Sequence, residues 1–211
     1  MSFLSQRVSD LNASSHEKGQ RVQQQLKKDE IVHDFRASLR RGKAVEKEVQ
    51  ALYEELGFKV ATATRADQLD GVDLHVRVRT DMTPGSWRKL EVKFDERSAE
   101  TGNIFIELYS DEDAGKKGWA LTTTANMVLV VCPSENGTQM YFLRPKELRV
   151  VLGRWKAMYQ SHRAYNATYN SLGVCVPLRE LDALAHVSLN GRDLNDLSDE
   201  EQQKLLGYCL A

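Results

Sequence analysis

The sequence is poor in the signals that mark the commoner specialised classes. Its three cysteines, Cys132, Cys175 and Cys209, are widely spaced. They form no CxxC pair and have no histidine at metal-ligand spacing. They read as reduced thiols of a cytoplasmic protein, with Cys132 in a buried strand. The N-terminus carries no apolar signal segment, and no run is long enough to span a membrane. The formal net charge is −1, so bulk charge names no partner. Nucleic-acid binding would have to rest on local patches. There is no Ser/His/Asp order with supporting motifs, no phosphate-cradling glycine loop, no internal repeat and no low-complexity tract.

What is present suits one ordinary domain. The chain has 211 residues and a hydrophobic fraction of 41%, enough for a real core. Residues 1–33 read as a polar extension, rich in Ser, Gln, Lys and Asp. A solvated tail is the plain reading, and a DNA-wrapping or dimer-forming arm is the alternative. Residues 34–165 read as the core and residues 166–211 as a C-terminal extension with short helices.

The element signals are clearest in the middle. Val45, Val49, Leu52 and Leu56 recur at helical spacing, with Gly57 as a C-cap. Phe58, Val60 and Ala61 start an extended segment. Two short strands follow around Leu74–Val78 and Leu90–Phe94, separated by a turn with Asp81, Pro84, Gly85 and Ser86. Ile104 to Tyr109 reads as a further strand. Met127 to Cys132 is a continuous apolar run, expected to be covered on both faces. Gln139 to Leu143 is its neighbour through an Asn136-Gly137 turn. Pro145 opens a helix to about Met158. Val174–Leu178 reads as a strand, Leu178–Leu184 as a short helix, and Ser198 with Glu201 as a capping box before Leu205 and Leu206.

The chemistry concentrates between Asp70 and Lys93. Alternation along a strand puts Glu91 and Lys93 on one face and Leu90, Val92 and Phe94 on the other. Asp73, His75, Arg77 and Arg79 share a face in the preceding strand. Paired as a hairpin, the two strands bring Asp73, Glu91 and Lys93 together. Two carboxylates at fixed separation suit a hard divalent cation, and Mg²⁺ needs only one or two of them beside water and phosphate. The lysine would position or deprotonate an attacking water, or neutralise developing charge. Glu46 and Glu48 flank the helix stripe on opposite edges, and helical phase does not choose which reaches the site.

The run Gly42-Lys43-Ala44-Val45-Glu46-Lys47-Glu48-Val49, ending in Leu56-Gly57-Phe58-Lys59-Val60, resembles the opening helix of the PD-(D/E)XK nucleases. The likeness is nearest to the Holliday-junction resolvases. Gly71-Val72-Asp73-Leu74 sits where that family carries its first metal aspartate, and Leu90-Glu91-Val92-Lys93 matches its E-x-K element. Val72 replaces the proline of the family's name. The resemblance implies an α/β fold, a restriction-endonuclease-like α/β/α sandwich with a central mixed β-sheet. It further implies Mg²⁺-dependent hydrolysis of DNA phosphodiesters, with Mn²⁺ as a substitute. Asp73 and Glu91 become metal ligands, Lys93 the catalytic lysine, and Glu46 the helix carboxylate and a third ligand. Residues 95–125 replace a simple crossover helix, which is similar to some phage-encoded nucleases. DNA repair or recombination in a bacterial, archaeal or phage-infected cell is the implied setting.

Other residues divide between site and surface. Glu107 is an accessory carboxylate or a strand-edge glutamate in water. Arg36, Arg40, Arg41 and Lys43 gather at the positive N-terminal end of the first helix, where phosphate is favoured. Lys116 and Lys117 lie in a glycine-flanked loop able to close over DNA. Thr122, Thr123 and Thr124 offer hydroxyls to phosphate, or else form a turn cluster. Arg144, Lys146, Arg149, Arg154, Lys156 and Arg163 read mostly as a solvated face. DNA is the expected partner, with a homodimer suited to symmetrical cuts. The rival reading is a non-catalytic nucleic-acid-binding or assembly protein on the same scaffold.

Overall fold

The computed structural model describes residues 37–78, 87–134, 137–165, 169–185 and 187–191, with Ser198, Glu200 and Glu201. The polar extension over residues 1–33, Arg36, Arg79, the turn from Asp81 to Ser86, Asn136, Leu205, Leu206 and Cys209 lie outside these described residues.

Helix α1 occupies residues 37–55. Val45, Val49 and Leu52 are buried along one side, as their spacing requires. Gly57 N–H donates to Glu54 O at 3.0 Å. Its φ of 84° is the left-handed conformation that ends a helix without a Cβ clash.

Strand β1 (Phe58–Thr62) leads through a short helix α2 (Arg65–Leu69) to β2 (Leu74–Val78) and then β3 (Arg88–Phe94). The three form an antiparallel meander with Leu74 opposite Leu90. A long crossover follows, holding α3 (Ser98–Thr101), β4 (Asn103–Asp111), β5 (Lys116–Lys117) and α4 (Trp119–Thr122). The chain returns as β6 (Met127–Ser134), parallel to β3. Antiparallel β7 (Gly137–Leu143) follows, with Gly137 opposite Ser134. Then come α5 (Pro145–Met158), β8 (Ser161–Tyr165), β9 (Asn170–Pro177), α6 (Leu178–Leu184) and β10 (Val187–Gly191). The first sheet is mixed, in the order β1-β2-β3-β6-β7-β10, and the second is antiparallel, in the order β5-β4-β9-β8.

Strand β6 explains the two cores. Residues 127–132 are all buried. Met127, Leu129 and Val131 pack with α1, while Val128, Val130 and Cys132 face the second sheet, α5 and α6. A parallel strand covered on both sides needs no polar face, so the run is apolar throughout. The opposite pattern marks β4, where Ile104, Ile106 and Leu108 are buried and Phe105, Glu107 and Tyr109 are half-buried. In α5, Leu148, Leu152 and Trp155 turn inward. Trp155 Nε1–H donates to Glu180 Oε2 at 3.0 Å and the Tyr159 hydroxyl to Glu180 Oε1 at 2.9 Å, which ties α5 to α6.

The α/β class and the mixed sheet are as expected, and among the described residues one face of that sheet is covered by α1. The other face meets the antiparallel sheet with α5 and α6. The expected boundary after residue 165 lies within the second sheet. It falls between β8 and β9, which are hydrogen-bonded neighbours, and Val174, Val176 and Leu181 are core residues. The strand expected at Val174–Leu178 extends back to Asn170, because β9 pairs on both edges. The Ser198–Glu201 capping box is present, with Ser198 N–H donating to Glu201 Oε2 at 2.8 Å and Glu201 N–H to Ser198 Oγ at 3.3 Å. Among the described residues no helix is long and apolar enough to cross a membrane.

Candidate active site

Asp73 stands one residue before β2. Its N–H donates to Leu90 O at 2.9 Å, just beyond the last register pair Leu74–Leu90, and its charge acts on Glu91. The chain then turns away, which leaves the Val92 amide without a strand partner on that side. Asp73 Oδ2 accepts that N–H at 2.8 Å. The carboxylate is thus oriented by the strand it faces.

Glu91 is only 1% exposed. Its Oε1 lies 2.7 Å from Lys93 Nζ. Its Oε2 is buried with no hydrogen-bond partner among the described residues. The nearby Thr123 hydroxyl has a single proton, and it is given to Gly71 O at 2.8 Å. Burial raises the Glu91 carboxyl above its ordinary pKa, against the pull of Lys93. Burial alone would lower Lys93, yet the charges of Glu91, Asp73 and Glu107 together raise it. The ammonium is therefore held protonated. It also lies 5.7 Å from the centroid of the Trp119 ring.

Glu46 comes to the site from α1. It is half-buried, and its pKa is raised by burial first and by the charge of Asp73 next, with Lys43 and Lys93 acting the other way. Glu48 is exposed. Of the two glutamates that helical phase left open, Glu46 is the one coupled to Asp73 and Lys93. Glu107 also belongs to this neighbourhood. Its Oε1 accepts Trp119 N–H at 3.4 Å, and its charge is felt by Lys93. A cleft of about 730 Å³ opens here, lined by Lys93, Glu107, Trp119, Asp95, Arg97 and Arg163 among others. Asp95 continues the alternation of Glu91 and Lys93, and its Oδ2 accepts Phe105 N–H at 2.8 Å, fixing β4 to the end of β3.

The three threonines are tied to backbone. Thr122 Oγ1 donates to Gly118 O at 3.0 Å, and Thr124 Oγ1 donates to Asp70 O at 3.2 Å. Thr124 on Asp70 and Thr123 on Gly71 clamp the turn that precedes Asp73, while Thr122 closes onto its own helix. Arg149, expected on a solvated face, reaches into the same loop and donates to Thr123 O at 2.6 Å. That reading of Arg149 is corrected, because the side chain is half-buried against carbonyls that need a donor. Three others of that group are ion-paired, Arg144 with Glu147, Arg154 with Glu180 and Arg163 with Glu112.

The basic candidates lie at the surface. Arg40 and Lys43 are exposed on α1. Arg41 is 2.6 Å from Glu96, which follows β3. Lys116 and Lys117 are exposed and belong to β5, not to a loop, because they pair with Asp111 and Tyr109. His75 Nε2 sits 3.3 Å from Asp67 Oδ2.

Among the described residues, no three of His, Cys, Asp or Glu converge closely enough to hold a metal ion. The donor set nonetheless fits a hard cation that needs only one or two carboxylates. The unpartnered Glu91 Oε2 is a buried acceptor of the required kind. Trp119 and Arg149 carry no site signal in the sequence, whereas Thr123 is marked there by the Thr-Thr-Thr run. Comparison with known proteins gave no matching family model, no matching curated protein and no matching solved structure.

Proposed function

We propose that the protein is a metal-dependent nuclease that hydrolyses DNA phosphodiesters at a restriction-endonuclease-like site. The observation that carries this reading is Glu91, a buried carboxylate with one oxygen on Lys93 and the other unpartnered, near enough to Asp73 to feel its charge. Burying an unpaired acceptor costs stability, so such an atom is expected where a ligand completes it. The order α1, β1, β2, β3, crossover, β6, with β3 parallel to β6, supports the finer reading of the fold.

Asp73 and Glu91 are the residues that would hold Mg²⁺, with Glu46 as the third carboxylate. When bound, such an ion polarises a phosphate oxygen and lowers the pKa of a water. Of the two roles open to Lys93, the raised pKa favours one. The ammonium at Nζ donates to phosphate oxygens and offsets charge that develops on them, instead of taking a proton from water. Glu46 binds a proton more tightly than an ordinary carboxylate, which suits it to accept one from the attacking water. Trp119 walls one side of the lysine and limits its movement.

Asp73→Ala and Lys93→Ala should each abolish Mg²⁺-dependent cleavage and leave the fold intact by circular dichroism. Full activity in both variants would sink the proposal. The lack of three converging ligands favours a second reading, a DNA-binding protein on a nuclease scaffold. Calorimetric titration with Mg²⁺ or Mn²⁺ separates the two, since the scaffold reading expects no binding that depends on Asp73.

A further inference from the structure

A second cluster lies on the same strand face as Asp73 and Glu91. Alternation places His75 and Arg77 of β2, and Trp87 and Lys89 of the β3 side, on that face, with His75 opposite Lys89. Trp87 is 40% exposed. The Arg77 guanidinium carbon is 5.0 Å from the centroid of its ring. The His75 ring meets it edge-on at 6.5 Å and 89°. Asp67 lies 3.3 Å from His75 Nε2 and 3.5 Å from Lys89 Nζ. Thr64 donates its hydroxyl to the same Asp67 carboxylate at 2.6 Å.

An exposed indole held between a guanidinium and an imidazole edge is preordered, so little entropy is lost when something stacks on it. Arg77 and Lys89 outweigh the one carboxylate, which gives the platform a positive border. Aromatic stacking beside cations is the chemistry that holds unpaired nucleotides, since every base has a π-face. Uninterrupted duplex offers no such face except at its ends. From Trp87 to Glu91 is four residues, about 13 Å at ~3.3 Å each. That is about four nucleotide steps at ~3.4 Å.

We infer that Trp87, with Arg77 and Lys89, is a stacking platform for unpaired nucleotides a few steps from the phosphate at Asp73 and Glu91. The substrate class is then DNA with a single-stranded segment. The placing of the cut rests on the nuclease reading, and the binding does not.

The test is fluorescence anisotropy with the full chain in EDTA, using labelled oligothymidylate and a labelled blunt duplex. Trp87→Ala should weaken oligothymidylate binding about tenfold, the loss of one stacked base. Trp87→Phe should retain most of the affinity. Arg77→Ala should weaken binding and lower the salt slope by about 1. Duplex affinity should fall far less than oligothymidylate affinity in Trp87→Ala, since a blunt duplex offers a π-face only at its ends. Trp87→Gln, which keeps bulk but removes the ring, serves if the alanine variant does not fold. Oligothymidylate binding equal to wild type in either folded variant overturns the inference. Wild-type protein that binds oligothymidylate through Trp87 but cleaves nothing with Mg²⁺ overturns the nuclease reading alone.

Discussion

Thr123 donates its hydroxyl to the carbonyl of Gly71 at 2.8 Å and accepts the Ala125 N–H at 3.1 Å. The two residues Gly71 and Thr123 come from opposite sides of the β2–β3 hairpin and the crossover. Gly71 has φ 71°, and a Cβ there would stand 3.1 Å from Thr123 backbone and side-chain atoms. The end of the crossover therefore grips the turn just before Asp73. Thr123→Val keeps the shape and removes both hydrogen bonds from a buried position. It should cost about 1–3 kcal/mol in urea unfolding and lower the cleavage rate through misplacement of Asp73. DNA affinity in EDTA should not change. An unaltered rate at saturating substrate would show that the clamp serves stability only.

The Glu91–Lys93 pair predicts an asymmetry between single and double variants. Lys93→Met leaves Glu91 buried with neither oxygen paired. Breaking a buried pair costs about 3–5 kcal/mol. Lys93 is one-third exposed, so solvent screening reduces the expected cost to roughly 1–3 kcal/mol. Replacing both, as Glu91→Gln with Lys93→Met, removes the buried charge and should recover most of that loss. Neither protein should cleave DNA. Equilibrium unfolding of the three proteins checks the cycle, and a double variant less stable than Lys93→Met would contradict it.

Glu46 gives the pH dependence a sign. Its folded-state pKa lies above the ordinary 4.5 because of burial and the nearby Asp73. In the window between those values the folded protein holds more protons than the unfolded one, so this residue lowers stability as pH rises through it. Glu46→Gln has no such proton to lose. Its stability relative to wild type should grow from pH 4.5 upward through the raised value and then level off. Below the window the difference should vanish. Wild-type cleavage should fall over the same window as pH drops, since Glu46 and Glu91 both gain protons there. Chemical unfolding at intervals between about pH 4 and 8 is the measurement, and parallel stability curves for the two proteins would refute the assignment.

Local patterns announced much of this architecture because local forces set it. The Val45–Val49–Leu52 stripe, the apolar run of β6 and Pro145 each match their burial or helix start. Glu91 and Lys93 follow from strand alternation alone. The second sheet is less legible, because only the end of β9 from Val174 reads as a strand, and its start is set by pairing with β4 and β8, which flank it in space. In β8 all five residues are exposed, so no apolar alternation marks it. The coupling of Glu46 to Asp73 and Lys93 is not legible from helical phase, because those partners lie on other elements. Arg149 escapes a sequence reading for a similar reason: its carbonyl partners, on Ala120 and Thr123, are distant in the chain.

The basic residues on α1 separate by partner. Arg41 is committed to Glu96 at 2.6 Å, a pair nearly half-exposed on both sides. Arg40 and Lys43 have no ion pair among the described residues and are exposed. Each phosphate that a cation neutralises releases condensed counterions, so removing one such cation lowers the salt slope of binding by about 0.9. Arg40→Ala and Lys43→Ala should each flatten the slope by about 1 and weaken binding to all DNA structures alike. Arg41→Ala should change the slope less, because in the free protein its charge is already offset by Glu96. Binding in EDTA over a range of salt concentrations reads this directly. If Arg41→Ala gives the largest change of the three, the Glu96 pair opens on binding and Arg41 is the residue that meets the phosphate.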